Sequence, residues 1–271
     1  AYFIIMILFA SWCFLKFSKD VAIGIILFSI FIYFGLTNMP WLPLILIYGL
    51  IGFKIGGLKL SLTIVASFLF ITFTGVLPQA LLSIYLCGIA VIISFILGSS
   101  LGIWAAHNDK VSAFMRPIND TMQTMPSFVI LIPFVMFFGI GEFTALLAII
   151  AYAFVPAMRY TEHGLRNLPE TVIEAARMIG CSQTQLLWKV KIPLAMPVIM
   201  LGLNQTIMFG LAMLVIAALV GTTGLGQLIY IGLSKADFGT GMISGVSIAL
   251  IAIIFDRTTQ AWRIKLEKKT Q

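Results

Sequence analysis

"NLPETVIEAARMIGCSQTQLLWKVKIPLA", residues 167–195, is a water-soluble insert in an otherwise oily chain. Pro169 suits the first turn of a helix, where its missing N–H costs no hydrogen bond. Glu170 near the start and Arg177 near the end both complement the helix dipole. Gly180 stands where a helix ends on a positive φ. "SQTQ" at 182–185 then reads as a capping box, Ser182 to Gln185, opening a second short helix that Pro193 and Pro197 are expected to end. Val172, Ala176 and Ile179 fall on one helical face, and Ala175 and Ala176 keep the surface low. Two readings stay open at this level: a solvated connection, or a surface on which another protein docks.

The chain around the insert is that of a membrane protein. Of 271 residues, 61% are hydrophobic and 10% charged, and the mean hydropathy is +1.08. Soluble domains hold about 45–50% apolar and about 25% charged residues. The apolar runs are too long for the ~10-residue strands of a membrane β-barrel, so the expected class is an all-α polytopic bundle. Residues 1–15 approach a signal sequence in apolarity. Lys16 and Lys19 follow that run instead of preceding it, so it reads as a span.

Nine spans are expected, near 2–15, 21–36, 41–53, 61–77, 81–105, 126–138, 143–158, 197–220 and 241–256. If the insert is cytoplasmic, every Lys and Arg except Lys235 falls on the cytoplasmic side, as the positive-inside rule requires. The amino terminus then lies outside and the basic tail, 263–271, inside. The net charge of +7 is thus a membrane-topology signal; no basic stripe with interleaved aromatics suggests nucleic acid. The three cysteines, Cys13, Cys87 and Cys181, form neither a metal spacing nor a disulfide framework.

"EAARMIG", nine residues and "VKIP" together resemble the EAA loop of binding-protein-dependent ABC importer permeases. Glu174, Ala175, Ala176, Gly180 and Pro193 match that pattern, while Val190 and Ile192 depart mildly from it. "MQTMPSFVILIPFVMFFGIG" at 122–141, "PLAMPVIMLGLNQTIM" at 193–208, "GLGQ" at 224–227 and "DRTTQ" at 256–260 resemble the glycine betaine/proline betaine subfamily. The resemblance covers about 38–262; residues 1–36 match nothing. It implies a type I permease core over 61–262, with the EAA loop at about 160–195 and accessory helices over 1–60. It also implies a coupling helix, including Arg177, that seats on an ATP-binding subunit. Two such subunits, a second permease subunit and an external substrate-binding protein complete the assembly in a bacterial or archaeal plasma membrane.

Chemistry of the chain's own is not expected. There is no G-x-x-x-x-G-K-[ST] phosphate loop, and nothing calls for a cofactor or metal. His107 and His163 read as loop residues. No ionisable residue falls well inside a span, which argues against a proton-coupled carrier, although sodium coupling through backbone carbonyls stays open. The neutral cluster Asn204, Gln205 and Thr206, together with Gln123, reads equally as inter-helix hydrogen bonding or as a wet pathway wall. Gly224, Gly226 and Gln227 read as an external loop, with a gate or a binding-protein contact as the alternative. Arg257 and Trp262 read as interfacial anchors, and the phenylalanine-rich "FVMFFGIG" at 134–141 as lipid-facing or core packing, with an aromatic cage for a quaternary ammonium as the alternative. The expected function is the membrane subunit of an ATP-driven importer of a small methylated-amine osmolyte: glycine betaine, proline betaine, choline, carnitine or trimethylamine oxide. The alternatives are an ion-coupled secondary transporter and a membrane-embedded enzyme or assembly factor.

Overall fold

The computed structural model describes residues 40–270, and every element among them is helical. The expected spans at 2–15 and 21–36 lie outside the described residues. The first element, α1 (Trp41–Phe73), is not straight: Gly57, at φ 76°, breaks it. The Tyr48 and Phe68 rings lie 5.2 Å apart, although twenty residues on a straight helix span about 30 Å. Ser61 also donates to the Gly49 carbonyl at 2.9 Å. The two halves therefore fold back on each other, as separate runs at 41–53 and 61–77 suggested, although the second half stops at Phe73. Gly52 permits the contact; a Cβ there would come within 2.5 Å of Ile64 Cδ1.

Next come α2 (Leu77–His107), α3 (Asp109–Thr124), α4 (Ser127–Phe138) and α5 (Glu142–Arg166). The sequence reading missed α3. Its start carries the usual signal, since Asn108 Oδ1 accepts from the Lys110 and Val111 amides. The expected span at 126–138 is α4, whose 12 residues reach only about 18 Å. It pairs with α3 across a 104° bend at Met125–Pro126, where the residue before proline leaves the helical region.

After α6 (Glu170–Met178), a single turn, Gln183–Gln185, and a π-helical stretch, Leu186–Lys191, lead into α7 (Ile192–Ala217). A 3-10 turn, Ala218–Val220, precedes α8 (Leu225–Ser234), and α9 (Phe238–Thr270) closes the described chain. The segment expected as an external loop thus contains a helix, α8, and the expected tail continues α9. Asp237 caps α9 by accepting from the Gly239 and Thr240 amides. The Thr240 hydroxyl bond is the main cause that holds its carboxyl below the usual range.

Among the described residues, five helices are by length and composition apolar enough to cross a membrane, or six if the α3–α4 pair counts as one span. The core of the bundle is α2 against α5 and α5 against α7. Small residues set the first contact. A Cβ on Gly98 would lie 2.5 Å from the Phe154 carbonyl, and one on Gly102 2.6 Å from that of Met158. In hydrocarbon, where lipid is as apolar as leucine, such close backbone approach replaces the hydrophobic effect as the source of helix association.

Candidate functional site: a capped insert, a polar cleft and a knotted far end

Three regions hold the residues singled out in the sequence. The insert folds largely as its local chemistry dictates. Pro169 is the N-cap of α6, one position earlier than expected. At the other end Gly180, at φ +87°, donates to the Arg177 carbonyl at 2.9 Å, and Cys181 donates to that of Ala176 at 3.2 Å. These two bonds are the Schellman pattern, which satisfies the last carbonyls of the helix. The capping box forms as expected: the Gln185 amide donates to Ser182 Oγ, and the Ser182 amide to Gln185 Oε1.

Burial divides the insert into two sides. Ala176 is 8% exposed and Leu186 1%, so both face the protein. Met178 and Ile179, at 89% and 83%, stand in the open, as do Glu174, Ala175 and Arg177. The expected face of Val172, Ala176 and Ile179 is thus split, because Ala176 packs inward. Pro193 and Pro197 do not end a helix; one continuous run extends from Gln183 to Val220. The Ile192 amide reaches back five residues to Leu187. This wider turn falls just before Pro193, which has no amide to offer and whose ring would crowd a regular turn.

Below the insert, the polar residues of α3 and α5 surround a cleft of about 690 Å³. Arg159 pairs with Asp120 and donates to Gln123 Oε1 at 2.6 Å. Arg166 pairs with Asp109 at 2.8 Å and Glu162 at 3.0 Å. The expected pathway residue Gln123 therefore belongs to a charged wall. The sequence reading did not single out Arg159 or Asp120, which are 39 residues apart.

The neutral cluster on α7 is also divided. Asn204 donates to Asp256 Oδ1 on α9 at 2.9 Å and accepts from Thr259 at 2.6 Å. Gln260 closes on the same carboxylate. Thr206 is fully buried and donates to its own helix at Gly202. Gln205 alone is half-buried and stands outside this network.

At the far end, the loop before α8 is tied to two other helices. Thr223 donates to Glu142 Oε1 at the start of α5 (2.6 Å). The Leu225 amide donates to Ser83 Oγ on α2 (2.8 Å). Gly224, at φ +114°, leaves no space for a side chain; its Cβ would lie 2.6 Å from Ser83 Oγ. Gly226 sits against α7, with the Leu214 carbonyl 3.0 Å from the Cβ it lacks. Gln227 is exposed. A serine inside the apolar run 81–105 was the signal for Ser83, and the reading passed over it.

Comparison with known proteins fits this geometry. Residues 98–263 match the family described as binding-protein-dependent transport system inner membrane component. The chain is 40% identical over 226 residues to the glycine betaine/proline betaine transport system permease protein ProW of Escherichia coli, covering 83% of this chain and 64% of that protein. It therefore spans just under two thirds of that relative's length. It is 36% identical over 266 residues to the glycine betaine transport system permease protein OpuAB of Bacillus subtilis, covering 97% of this chain and 94% of that one. This match reaches into residues 1–36, where no resemblance was expected. The fold is similar to a chain of the inward-facing MetNI methionine ABC transporter, with a TM-score of 0.59 and 20% identity, over 67% of this chain and 93% of that one. By the match across most of α2 to α9, the chain belongs to the family of binding-protein-dependent transport system inner membrane components.

Proposed function

We propose that the chain is the membrane subunit of an ATP-driven importer for a small methylated-amine osmolyte of the glycine betaine class. The observation that carries this reading is the insert. In a family of transport-system membrane components, a nine-residue helix opens on Pro169, is closed at its carboxyl end by the Gly180 and Cys181 amides and presents Glu174, Arg177, Met178 and Ile179 outward. It catalyses no covalent step and serves as the joint to a separate ATP-binding subunit. The substrate class follows from the two betaine-permease relatives.

The full assembly in this reading is two permease subunits, two ATP-binding subunits and an external binding protein. The insert and the carboxyl terminus face the cytoplasm, in line with the distribution of Lys and Arg. Residues 61–262 form the permease core, 1–60 are accessory and 263–271 form a basic end. Glu174, Ala175, Ala176, Arg177, Gly180 and Pro193 belong to the coupling region, with the buried Ala176 supporting it from behind. Gln123, Asn204, Gln205 and Thr206 lie along the route, of which Gln205 is the member free to meet a solute. Gly224, Gly226 and Gln227 form the outer closure.

The test is purification from the native membrane followed by reconstitution in vesicles. The expected result is a co-purifying ATPase and glycine betaine uptake that needs both ATP and the binding protein. A lone chain that transports on an ion gradient would mean the secondary-transporter alternative instead.

A further inference from the structure

Two helical stripes meet on one side of the bundle. On α7, Leu201, Gln205, Phe209 and Ala212 are at least partly exposed, while Gly202, Asn204, Thr206 and Gly210 beside them are buried. On α5, Tyr152 continues the line of Pro156 and Arg159. The stripes touch where Tyr152 stacks on Phe209, with ring centroids 5.1 Å apart and an interplanar angle of 28°. Pro156 and Arg159 line the polar cleft together with Asp120 and Gln123. A wall with that many charges is too costly to face lipid, so the cleft itself is wet. Tyr152 lies one turn beyond Pro156, about 6 Å along the helix, so the aromatic pair stands just past the residues that line the cleft.

Gln205 lies one turn from Phe209 on α7, which puts the two Cβ atoms about 5–6 Å apart. Among the described residues it finds no hydrogen-bond partner, unlike Asn204 beside it. An aromatic face and an uncharged amide are thus held side by side at the length of a small zwitterion.

We propose that Tyr152, Phe209 and Gln205 form a station for a zwitterionic methylated ammonium, with the methylammonium on the aromatic pair and the anionic oxygen on the Gln205 amide. The inference rests on the osmolyte-importer reading and deepens it. A quaternary ammonium has no N–H to donate. Its charge is spread over methyl hydrogens, which an aromatic face attracts within about 6 Å of the ring centroid. Gln205 offers an N–H to a carboxylate or N-oxide without a fixed charge. Neither contact is an ion pair, so the solute is held weakly and released onward.

The experiment uses the complete transporter in vesicles, with glycine betaine as the probe, and reads uptake and binding-protein-stimulated ATP hydrolysis side by side. Tyr152→Leu, Phe209→Leu and Gln205→Leu are each expected to lower uptake about tenfold, with ATP hydrolysis maintained. Because a leucine variant can fail to assemble, Phe209 is also replaced by mono-, di- and trifluorophenylalanine, which keep its shape while weakening the ring's negative face. Uptake is expected to fall stepwise with fluorination. A flat fluorine series in vesicles whose wild-type protein transports normally overturns the station alone. Wild-type vesicles that take up no glycine betaine overturn the osmolyte reading, and the station with it.

Discussion

Asn204 on α7 donates its side-chain amide to the Asp256 carboxylate on α9 across 2.9 Å, and Thr259 returns a hydroxyl to the Asn204 oxygen at 2.6 Å. Residue 204 is therefore a tie between two spans. Asn204→Leu removes both bonds and leaves a half-buried carboxylate short of a donor, at a cost of about 1–3 kcal/mol. The expected outcome is a lower thermal midpoint of the purified protein and reduced assembly. Asp256→Asn is expected to couple to it by at least ~0.5 kcal/mol in a double-mutant cycle. Equal midpoints for Asn204→Leu and wild type would mean that the network contributes nothing.

Gly180 tests the insert. A Cβ there meets nothing within 4 Å, so the constraint is φ alone. A β-branched side chain in that region costs about 1–2 kcal/mol and shifts the end of α6. Gly180→Val and Glu174→Lys are expected to insert normally and to abolish uptake. Gly180→Asn, better tolerated at a helix end, keeps a measurable fraction. Normal uptake in both the valine and the lysine variants would remove the docking role.

The far end tests the outer closure. Ser83→Ala leaves the buried Leu225 amide without its acceptor, which costs about 1–3 kcal/mol. Gly224→Ala drives a methyl toward the same Ser83 oxygen. Because the two changes act on one contact, their effects on thermal midpoint and uptake are expected to be less than additive. Strict additivity would place the cause elsewhere in the loop.

Topology is checked with an impermeant maleimide in intact cells. Ser182→Cys and Thr223→Cys are both at exposed positions, and only the second should react from outside. Reaction of both from the same side would invalidate the orientation.

The α2–α5 contact gives a stability prediction. Gly98→Val places a side chain into the Phe154 carbonyl, 2.5 Å from its first carbon. Overpacking of this kind costs about 1–3 kcal/mol, more where the obstacle is backbone. Expression of folded protein should fall, with Gly88→Val, at an open position, as the tolerant control.

Local chemistry was legible from the sequence wherever a few neighbouring residues decide the outcome. The Gly180 turn, the Ser182–Gln185 box and the apolar character of the spans depend on φ preference, hydrogen bonds within five residues and hydropathy. The amphipathic α3 is announced only by the Asn108 cap, because its polar residues break the apolar runs that mark spans. Pro193 misled for the opposite reason. A proline stops a regular helix, but here a π-turn widens the helix one residue before it, and nothing local announces that accommodation.

What the sequence by itself determined is the solvent each segment requires and the places where the backbone must turn, because those follow from side-chain transfer and local sterics. The tertiary structure decided which polar residues meet. Gln123 met Arg159, Asn204 met Asp256, Thr223 met Glu142 and Leu225 met Ser83, pairs separated by 36 to 142 residues. In a membrane bundle, hydropathy is nearly the same on every face of a span, so periodicity does not say which face is inside. That choice falls to glycines such as Gly98 and Gly102, where two backbones can touch, and to the few hydrogen bonds that such contact brings within reach.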